Sequence, residues 1–188
     1  MNSSNQLRMT VFASLLAALM AAGAYLAIPI GPVPIVLQNM FVFLAGLLLG
    51  YRWGLASVAV YLLAGACGLP VFAGGMGGIG RIVGPTGGYL LSYLPAVFLI
   101  GFISGKGARR SLYDVVAMIC GSFVVYACGV TWLKMLTGMS WAKTLAVGMY
   151  PFLLGDALKI AAAAVIAKTV RPAIRVSDPD ISVDTQLP

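Results

Sequence analysis

The chain is divided into apolar runs that can cross a lipid bilayer, and this pattern constrains its fold more than any other feature. The hydrocarbon core of a bilayer is about 30 Å thick, so a spanning helix needs about 20 mostly apolar residues. Six runs lie at about 11–28, 36–50, 55–67, 88–104, 115–136 and 150–170. We therefore predict an all-α integral membrane protein, with six transmembrane helices in a single bundle that forms one membrane domain over 1–188.

The second and third runs are short, and only a tight turn around Arg52 and Trp53 separates them. We predict that this pair forms a helical hairpin. Gly46, Gly50 and Gly54 recur at four-residue spacing in the same region. Small residues at this spacing let helix backbones approach closely, so we assign them to internal packing.

Composition supports a membrane protein and argues against catalysis. Hydrophobic residues make up 61% of the sequence and charged residues only 9%, whereas soluble domains carry about 25% charged residues. Histidine is absent and the five acidic residues are all aspartates. The three cysteines lie in apolar surroundings without C-x-x-C spacing, which predicts buried, reduced thiols. We expect no enzyme activity, no metal site and no cofactor.

Basic residues gather at the ends of the apolar runs, and the net charge is +7. With a cytoplasmic N terminus, eight of them lie on the cytoplasmic side: Arg8, Arg52, Lys106, Arg109, Arg110, Lys168, Arg171 and Arg175. Three lie outside: Arg81, Lys134 and Lys143. This distribution follows the positive-inside rule and places both termini in the cytoplasm. We expect a polar tail over 172–188, contact with the lipid bilayer, and no binding of nucleic acid.

Two ionisable side chains, Asp156 and Lys159, lie inside the last apolar run. A charge near the bilayer centre costs about 2.5–3.5 kcal/mol, so it normally faces protein or a water-filled cavity. The i, i+3 spacing places both side chains on one helical face, where they can neutralise each other and contact a polar ligand. The pair is either a structural ion pair or part of a binding site, and we favour the binding site.

A glycine-rich external connection, residues 68–88, joins the third and fourth runs. Glycine lets the backbone approach a ligand closely. The apolar residues between the glycines favour burial, unlike those of a flexible linker. They are Leu69, Val71, Phe72, Met76, Ile79, Ile82 and Val83. We predict a folded loop that closes over a bound ligand.

Prolines between Ile28 and Asn39 exclude a helix there and predict an extended external connection. Gln38 and Asn39 then open the second helix. Their side chains either cap that helix or offer amide donors and acceptors to a ligand that arrives from outside.

Small residues form two neighbouring stripes along the first run: Ala13, Ala17 and Ala21, then Ser14, Ala18 and Ala22. Such stripes allow helices to pack closely within a membrane. The two stripes are broader than one internal contact requires, so internal packing and an external partner helix both fit. We assign Ala13, Ala17 and Ala21 to a partner interface.

Five motifs occur in order: Pro32-Val-Pro-Ile-Val-Leu-Gln38, Gly68-Leu-Pro-Val-Phe-Ala-Gly-Gly75, Gly84-Pro-Thr-Gly-Gly-Tyr-Leu90, Tyr126-x-x-Gly129-x-x-Trp-Leu133 and Pro151-Phe-x-x-Gly-Asp-x-x-Lys159. Together, over about residues 10–170, they resemble the BioY family, the biotin-specific S components of energy-coupling factor transporters. The sequence departs from the family at Val36, where Thr is usual, and at Ser92-Tyr93, where Gly-Phe or Gly-Tyr is usual.

The resemblance implies a multi-pass subunit of a prokaryotic cell membrane that captures biotin from outside. It also implies docking, through small residues of the first helix, with a transmembrane coupling (T) subunit and two ATPases. In such a site Asp156 accepts from the ureido N–H groups of biotin, while Lys159 or Arg81 meets the carboxylate; the reverse assignment also stays open. Arg81 is a candidate from the residues alone, because it lies outside the motifs that match the family. The other predicted site residues are Gln38, Asn39, Phe72, Thr86, Tyr89, Tyr126 and Trp132.

A secondary transporter and an intramembrane enzyme are the two alternatives to a biotin-capturing subunit. A stand-alone secondary transporter of a small amphipathic anion also needs a polar site at the membrane midplane, but its inverted repeats should appear as paired broken helices. An intramembrane enzyme needs acid and base groups, and we count a single membrane-embedded carboxylate and no histidine. We favour capture and uptake of biotin.

Overall fold

A computed structural model of the protein describes residues 3–29, 31–107 and 111–175. In these ranges the elements are α1 (Ser3–Tyr25), β1 (Ala27–Ile28), β2 (Ile35–Val36), α2 (Gln38–Ala66), α3 (Ile79–Val83), α4 (Gly87–Lys106), α5 (Ser111–Thr137), α6 (Trp141–Gly148) and α7 (Tyr150–Arg175). Five helical stretches of the described chain are long and apolar enough to cross a membrane: 3–25, 38–66, 87–106, 111–137 and 141–172. The predicted all-α membrane fold is confirmed.

The stretch assigned to α2 is a helical hairpin, because the chain reverses direction at Gly50. Gly50 has φ 74° and ψ −177°, which is not a helical conformation. A Cβ atom built on Gly54 would lie 3.1 Å from the carbonyl oxygen of Ala45, although nine residues of straight helix span about 14 Å. The predicted hairpin is therefore confirmed, and its two arms account for the second and third predicted spans. Its turn lies at Gly50 and not around Arg52 and Trp53, which are helical and belong to the second arm.

Both arms of this hairpin pack against α4 through glycine. Gly46 lies beside Ile100 and Gly54 beside Val97, so close that an added Cβ atom would approach the neighbouring side chain to 2.7 Å and 2.9 Å, respectively. The internal packing role predicted for these two glycines is confirmed. Gly50 forms the turn instead.

The proline-rich connection folds as two short paired strands across one end of the bundle. Ala27 pairs with Val36, and Ile28 pairs with Ile35, in antiparallel register. The first helix therefore ends three residues before its predicted end, and the second begins two residues later than predicted. The expected extended connection is confirmed.

The last helix continues beyond Pro172, where we predicted a polar tail, and ends at Arg175. Its final turns are anchored: Arg171 pairs with Asp114 at 2.9 Å, and the guanidinium group of Arg8 donates to the carbonyl oxygen of Ile174. The rest of the predicted tail, residues 176–188, lies outside the described residues, as do Arg109 and Arg110 of the predicted cytoplasmic set.

Asp114 and Arg171 form a buried ion pair at the end of the bundle that carries the Gly50 turn. Their side chains are only 4% and 9% exposed, and the Ser104 hydroxyl donates to Asp114 at 2.5 Å. The expectation of a single embedded carboxylate is therefore wrong. Both residues flank apolar runs in sequence, so only their packing shows that they are buried.

The first alanine stripe of α1 packs inside the protein. Ala13 and Ala17 are 6% and 7% exposed, Ala21 is half-buried, and the Ser57 hydroxyl donates to the carbonyl oxygen of Ala13 at 2.7 Å. The assignment of this stripe to a partner interface is wrong, because α2 already covers it. The neighbouring stripe is the exposed one: Ser14, Ala18 and Ala22.

The connection between α2 and α4 is folded, as predicted, but few of its apolar side chains are buried. Phe72 is buried against Gly65, and its N–H group donates to the carbonyl oxygen of Met76 at 2.8 Å. The expected burial is wrong for four residues, which face outward from the end of the bundle: Leu69, Met76, Ile79 and Val83.

The three cysteines are free, as predicted, but they are not buried. Cys67 and Cys128 are exposed, and Cys120 is half-buried. Cys120 and Cys128 lie on α5, and Cys67 directly follows the end of α2. A thiol behaves as a small apolar group, so such a position suits it in a membrane.

We predict that Gly50→Ala lowers stability by about 1–3 kcal/mol, because its backbone conformation is one that essentially only glycine adopts. A Cβ atom at Gly50 would meet nothing within 4 Å, so the cost comes from the backbone alone. Thermal unfolding of the detergent-solubilised protein measures the change. Gly105→Ala is the matched control, since Gly105 also has open space around it but lies within α4, where alanine is favoured. Equal melting temperatures for both variants would contradict the hairpin turn.

Candidate functional site

A cleft lies at the end of the bundle opposite the Gly50 turn, beside the paired strands. Two adjoining cavities form it, with about 420 and 390 Å³ of empty space that includes the open solvent at their mouths. Both cavities are lined by Val33, Pro34, Val36, Tyr89 and Tyr93. The first adds Gln38, Phe72, Ala73, Arg81, Thr86 and Leu90; the second adds Asn39, Val125, Tyr126, Phe152, Asp156 and Lys159.

Asp156 and Lys159 anchor a buried hydrogen-bond network in the second cavity. The Lys159 ammonium group lies 2.9 Å from Asp156 Oδ1 and donates to Asn39 Oδ1 at 2.9 Å. Asn39 Nδ2 donates to Asp156 Oδ1 at 2.8 Å, and the Tyr126 hydroxyl donates to Asp156 Oδ2. The network therefore joins three helices: α2 through Asn39, α5 through Tyr126 and α7 through the charged pair.

This network satisfies the two charges without using all of their bonding capacity. The side chains of Lys159 and Asp156 are 10% and 11% exposed. A carboxylate has about four acceptor positions and an ammonium group three donors; the network uses three of the former and two of the latter. One acceptor and one donor position remain. The pair is thus a structural ion pair that can also bind a polar ligand.

Gln38 and Asn39 do not cap α2, so that interpretation is wrong. The capping position is Leu37, which makes no side-chain cap hydrogen bond. Gln38 is 1% exposed, and its Nε2 atom has no hydrogen-bond partner among the described residues. A buried donor without a partner costs about 1–3 kcal/mol. Because Gln38 lines the first cavity, its amide is a candidate partner for a ligand there.

Arg81 lies at the mouth of the cleft. It lines the first cavity and also an outer cavity of about 630 Å³. It is half-buried and forms no ion pair with any described residue. The Thr86 hydroxyl donates to its carbonyl oxygen at 3.4 Å. A cation therefore stands between the cleft and the outside.

Aromatic side chains form the walls of the cleft. Tyr89 packs on Gly129 and donates to the carbonyl oxygen of Gly148 at 2.8 Å, which fixes its ring. Phe72 packs edge-on against Tyr61, with ring centres 5.6 Å apart. Both rings are held by contacts with other parts of the protein.

Trp132 lies outside the cleft that the other nine predicted site residues line. Its indole N–H group donates to the carbonyl oxygen of Gly84 at 2.9 Å, and its side chain packs on Gly88. Trp132 therefore fixes the segment that begins α4. These structural contacts account for the position of Trp132 in its motif without any contact to a ligand.

The structure adds residues to the predicted site: Val33, Pro34, Val36, Ala73, Leu90, Tyr93, Val125 and Phe152. Tyr93 lies four residues after Tyr89, and Phe152 lies four residues before Asp156. Each therefore shares a helical face with a predicted residue, which is a signal that the sequence offers. Pro34 lines the cleft only because strand pairing folds its segment over the bundle, and no local pattern predicts that.

The arrangement suits a small amphipathic molecule with a polar ring and an anionic tail. The second cavity presents a carboxylate, an ammonium group and the Asn39 amide, while the first presents the Gln38 amide and the Arg81 guanidinium group. Aromatic and aliphatic walls lie between them. A few convergent polar groups in an apolar pocket give a ligand orientation and specificity.

Comparison with known proteins identifies the family. The BioY family model matches residues 1–176. The probable biotin transporter BioY of Pyrococcus horikoshii is 40% identical over 158 residues, which cover 84% of this chain and 93% of that protein. The biotin transporter BioY of Thermotoga maritima is 40% identical over 161 residues, which cover 86% of this chain and 94% of that protein.

A solved structure shares the fold. It is the crystal structure of the S-component for biotin from an ECF-type ABC transporter, with a TM-score of 0.86 and 32% sequence identity. The match covers 92% of this chain and 95% of that one. The resemblance predicted from the five motifs is confirmed, and the chain belongs to the BioY family.

Proposed function

We propose that the protein binds biotin in this cleft and acts as the substrate-specific subunit of an ATP-driven transporter in the prokaryotic cell membrane. The observation that carries the proposal is the buried network of Asn39, Tyr126, Asp156 and Lys159, which keeps one acceptor and one donor position for a ligand. The names of the relatives and of the solved S-component support the same ligand. A subunit of this family is a transporter component rather than an enzyme.

The ureido ring of biotin complements the polar end of the cleft. It offers two N–H donors and one carbonyl acceptor. Asp156 accepts from a ureido N–H group, and the ureido carbonyl accepts from Lys159 or from the Gln38 amide, whose Nε2 atom has no partner within the described chain. Hydrogen bonds to charged groups contribute about 1.5–3 kcal/mol each. Tyr89 and Tyr93 pack against the fused sulfur ring.

The valerate chain of biotin runs toward the mouth, where Arg81 meets its carboxylate. Lys159 is already bonded to Asp156 and Asn39, whereas Arg81 forms no ion pair within the described ranges. A guanidinium group suits a carboxylate because it can donate two parallel hydrogen bonds. Of the two cations, Arg81 is therefore the better partner for the tail.

Uptake against a gradient needs an energy source, which we assign to a transmembrane coupling subunit and two ATPases. The match to an ECF S-component supports partners of this type. The exposed stripe of Ser14, Ala18 and Ala22 replaces the buried stripe as the helix surface open to them. A stand-alone secondary transporter is the alternative, and uptake measured with and without the ATPases separates the two.

Equilibrium binding of labelled biotin to the purified, detergent-solubilised protein tests the function. We expect unlabelled biotin to compete and lipoate to be at least about 100-fold weaker, since a site built for hydrogen bonds strongly rejects an analogue that lacks them. Lipoate has an apolar sulfur ring and a valerate tail but no ureido group. Failure to bind biotin, or equal competition by lipoate, would contradict the proposal.

We predict that Asp156→Asn or Lys159→Met weakens biotin binding by about 1.5 kcal/mol or more, because each change removes a charge-assisted hydrogen bond from the network. Titration of the folded variants with biotin measures the loss. Lys143→Met is the control, since Lys143 is an exposed cation outside the cleft. Wild-type affinity in both cleft variants would leave the pair with a structural role only.

Gln38→Met should weaken biotin binding without destabilising the free protein. The substitution removes a buried donor that has no partner in the described residues, so the melting temperature without ligand should stay the same or rise. Gln6→Met, at an exposed position of α1, is the matched control. A lower melting temperature with unchanged affinity would show that Gln38 supports the fold and not the ligand.

Arg81→Gln should weaken the binding of biotin about tenfold while changing that of biotin amide much less, because the amide has no carboxylate to lose its partner. Comparing both ligands on both proteins isolates the contact between Arg81 and the tail. If the amide loses as much affinity as biotin, Arg81 does not meet the carboxylate. If the preference for biotin over biotin amide is lost in Lys159→Met instead, Lys159 is the partner of the carboxylate.

A further inference from the structure

A second buried polar cluster lies at the end of the bundle away from the cleft, and binding of biotin does not account for it. Arg171 Nη1 lies 2.9 Å from Asp114 Oδ2, and Arg171 Nη2 donates to the carbonyl oxygen of Leu47 at 3.3 Å. The Ser104 hydroxyl donates to Asp114 Oδ1 at 2.5 Å. Two charges are thus held in the interior with several hydrogen bonds to each other and to their neighbours.

This second cluster joins the same three helices as the cleft network, and also α4 through Ser104. Leu47 lies on α2, Asp114 on α5 and Arg171 on α7, and α2, α5 and α7 also supply the four residues of the cleft network. Along α7, Asp156 and Arg171 are about 22 Å apart at 1.5 Å per residue. The last helix is therefore fastened to the same two neighbours by polar contacts at both ends.

Between these two attachment points, the fully buried residues of α7 are alanines. Lys159, Ala163, Ala167 and Arg171 follow one another at four-residue spacing, and both alanines are completely buried. Of the bulky side chains in this stretch, Leu158 and Val165 are exposed, and Ile160 and Ile166 are only partly buried against the core. Alanine allows close approach but interlocks little with a neighbour, and lipid supplies no hydrophobic force to hold helices together. Apolar packing alone therefore fixes the axial position of α7 weakly.

We propose that Asp114 and Arg171 are positioning residues for biotin binding. Their ion pair sets the axial position and rotation of α7, and α7 in turn holds Asp156 and Lys159 against Asn39 and Tyr126. A shift of α7 by one residue, about 1.5 Å, is enough to break hydrogen bonds in the cleft network. The inference rests on the proposed function, although neither Asp114 nor Arg171 touches the ligand.

The test removes both charges together, because removing one would leave the other buried without its partner. Replacing a buried ion pair by apolar residues of similar volume is often neutral or stabilising. We therefore expect the double variant Asp114→Leu/Arg171→Met to keep its melting temperature but to bind biotin about tenfold more weakly, within the usual range of coupling between distant sites. Lys168→Met is the control, since it removes an exposed cation from the same helix.

Spin labels provide a readout that a purely stabilising role would not change. One label replaces Leu154 on α7 and the other replaces Leu91 on α4, both exposed positions, in a background without the native cysteines. The distance distribution should be narrow in the wild-type protein, broader or displaced in the double variant, and narrow again when biotin is added. Wild-type affinity together with a wild-type distance distribution would overturn the proposal.

If the double variant does not fold, Arg171→Lys carries the test. It keeps a cation for Asp114 but cannot reproduce the guanidinium contact with Leu47, so we expect a smaller loss of affinity and a smaller shift in label distance. No change in either quantity would overturn the proposal. Absence of biotin binding by the wild-type protein would refute the proposed function instead, while the label distances would still report on the position of α7.

Discussion

Buried charge that must find its partner inside the protein is the constraint on which this structure depends. Neither water nor lipid can stabilise Asp156, Lys159, Asp114 or Arg171 in the interior, so each must be paired and hydrogen-bonded. Each of these charges finds its partners on another helix or one turn away on its own helix. The polar contacts therefore hold together helices that have no hydrophobic force to associate in lipid.

The cleft shows how one ion pair can support the fold and also bind a ligand. Asn39 and Tyr126 satisfy most of the bonding capacity of Asp156 and Lys159, which keeps the charges stable when the cleft is empty. The contacts that fix the helices also orient the unused acceptor position of Asp156 and the unused donor position of Lys159. A ligand then meets groups that are already ordered, so little conformational entropy is lost on binding.

Several features could be predicted because they arise locally. The length of the apolar runs predicted the membrane segments, two short runs separated by only a few residues predicted the hairpin, and prolines predicted the extended connection. Asp156 and Lys159 were found because a charge in an apolar run stands out. Asp114 and Arg171 were missed for the opposite reason: they flank apolar runs, where charged residues usually face the membrane surface. The alanine stripes were ambiguous because small residues serve internal and external contacts equally well.

The sequence by itself determined that this is a helical membrane protein with a polar site near Asp156, since hydrophobicity and the cost of buried charge act on local segments. Only the tertiary structure decided which stripe of α1 is buried, that Trp132 supports α4 from outside the cleft, and that Asp114 pairs with Arg171. Each of these depends on which helices become neighbours. That choice reflects contacts between residues far apart in the chain, such as Asn39 with Asp156, and no local pattern contains it.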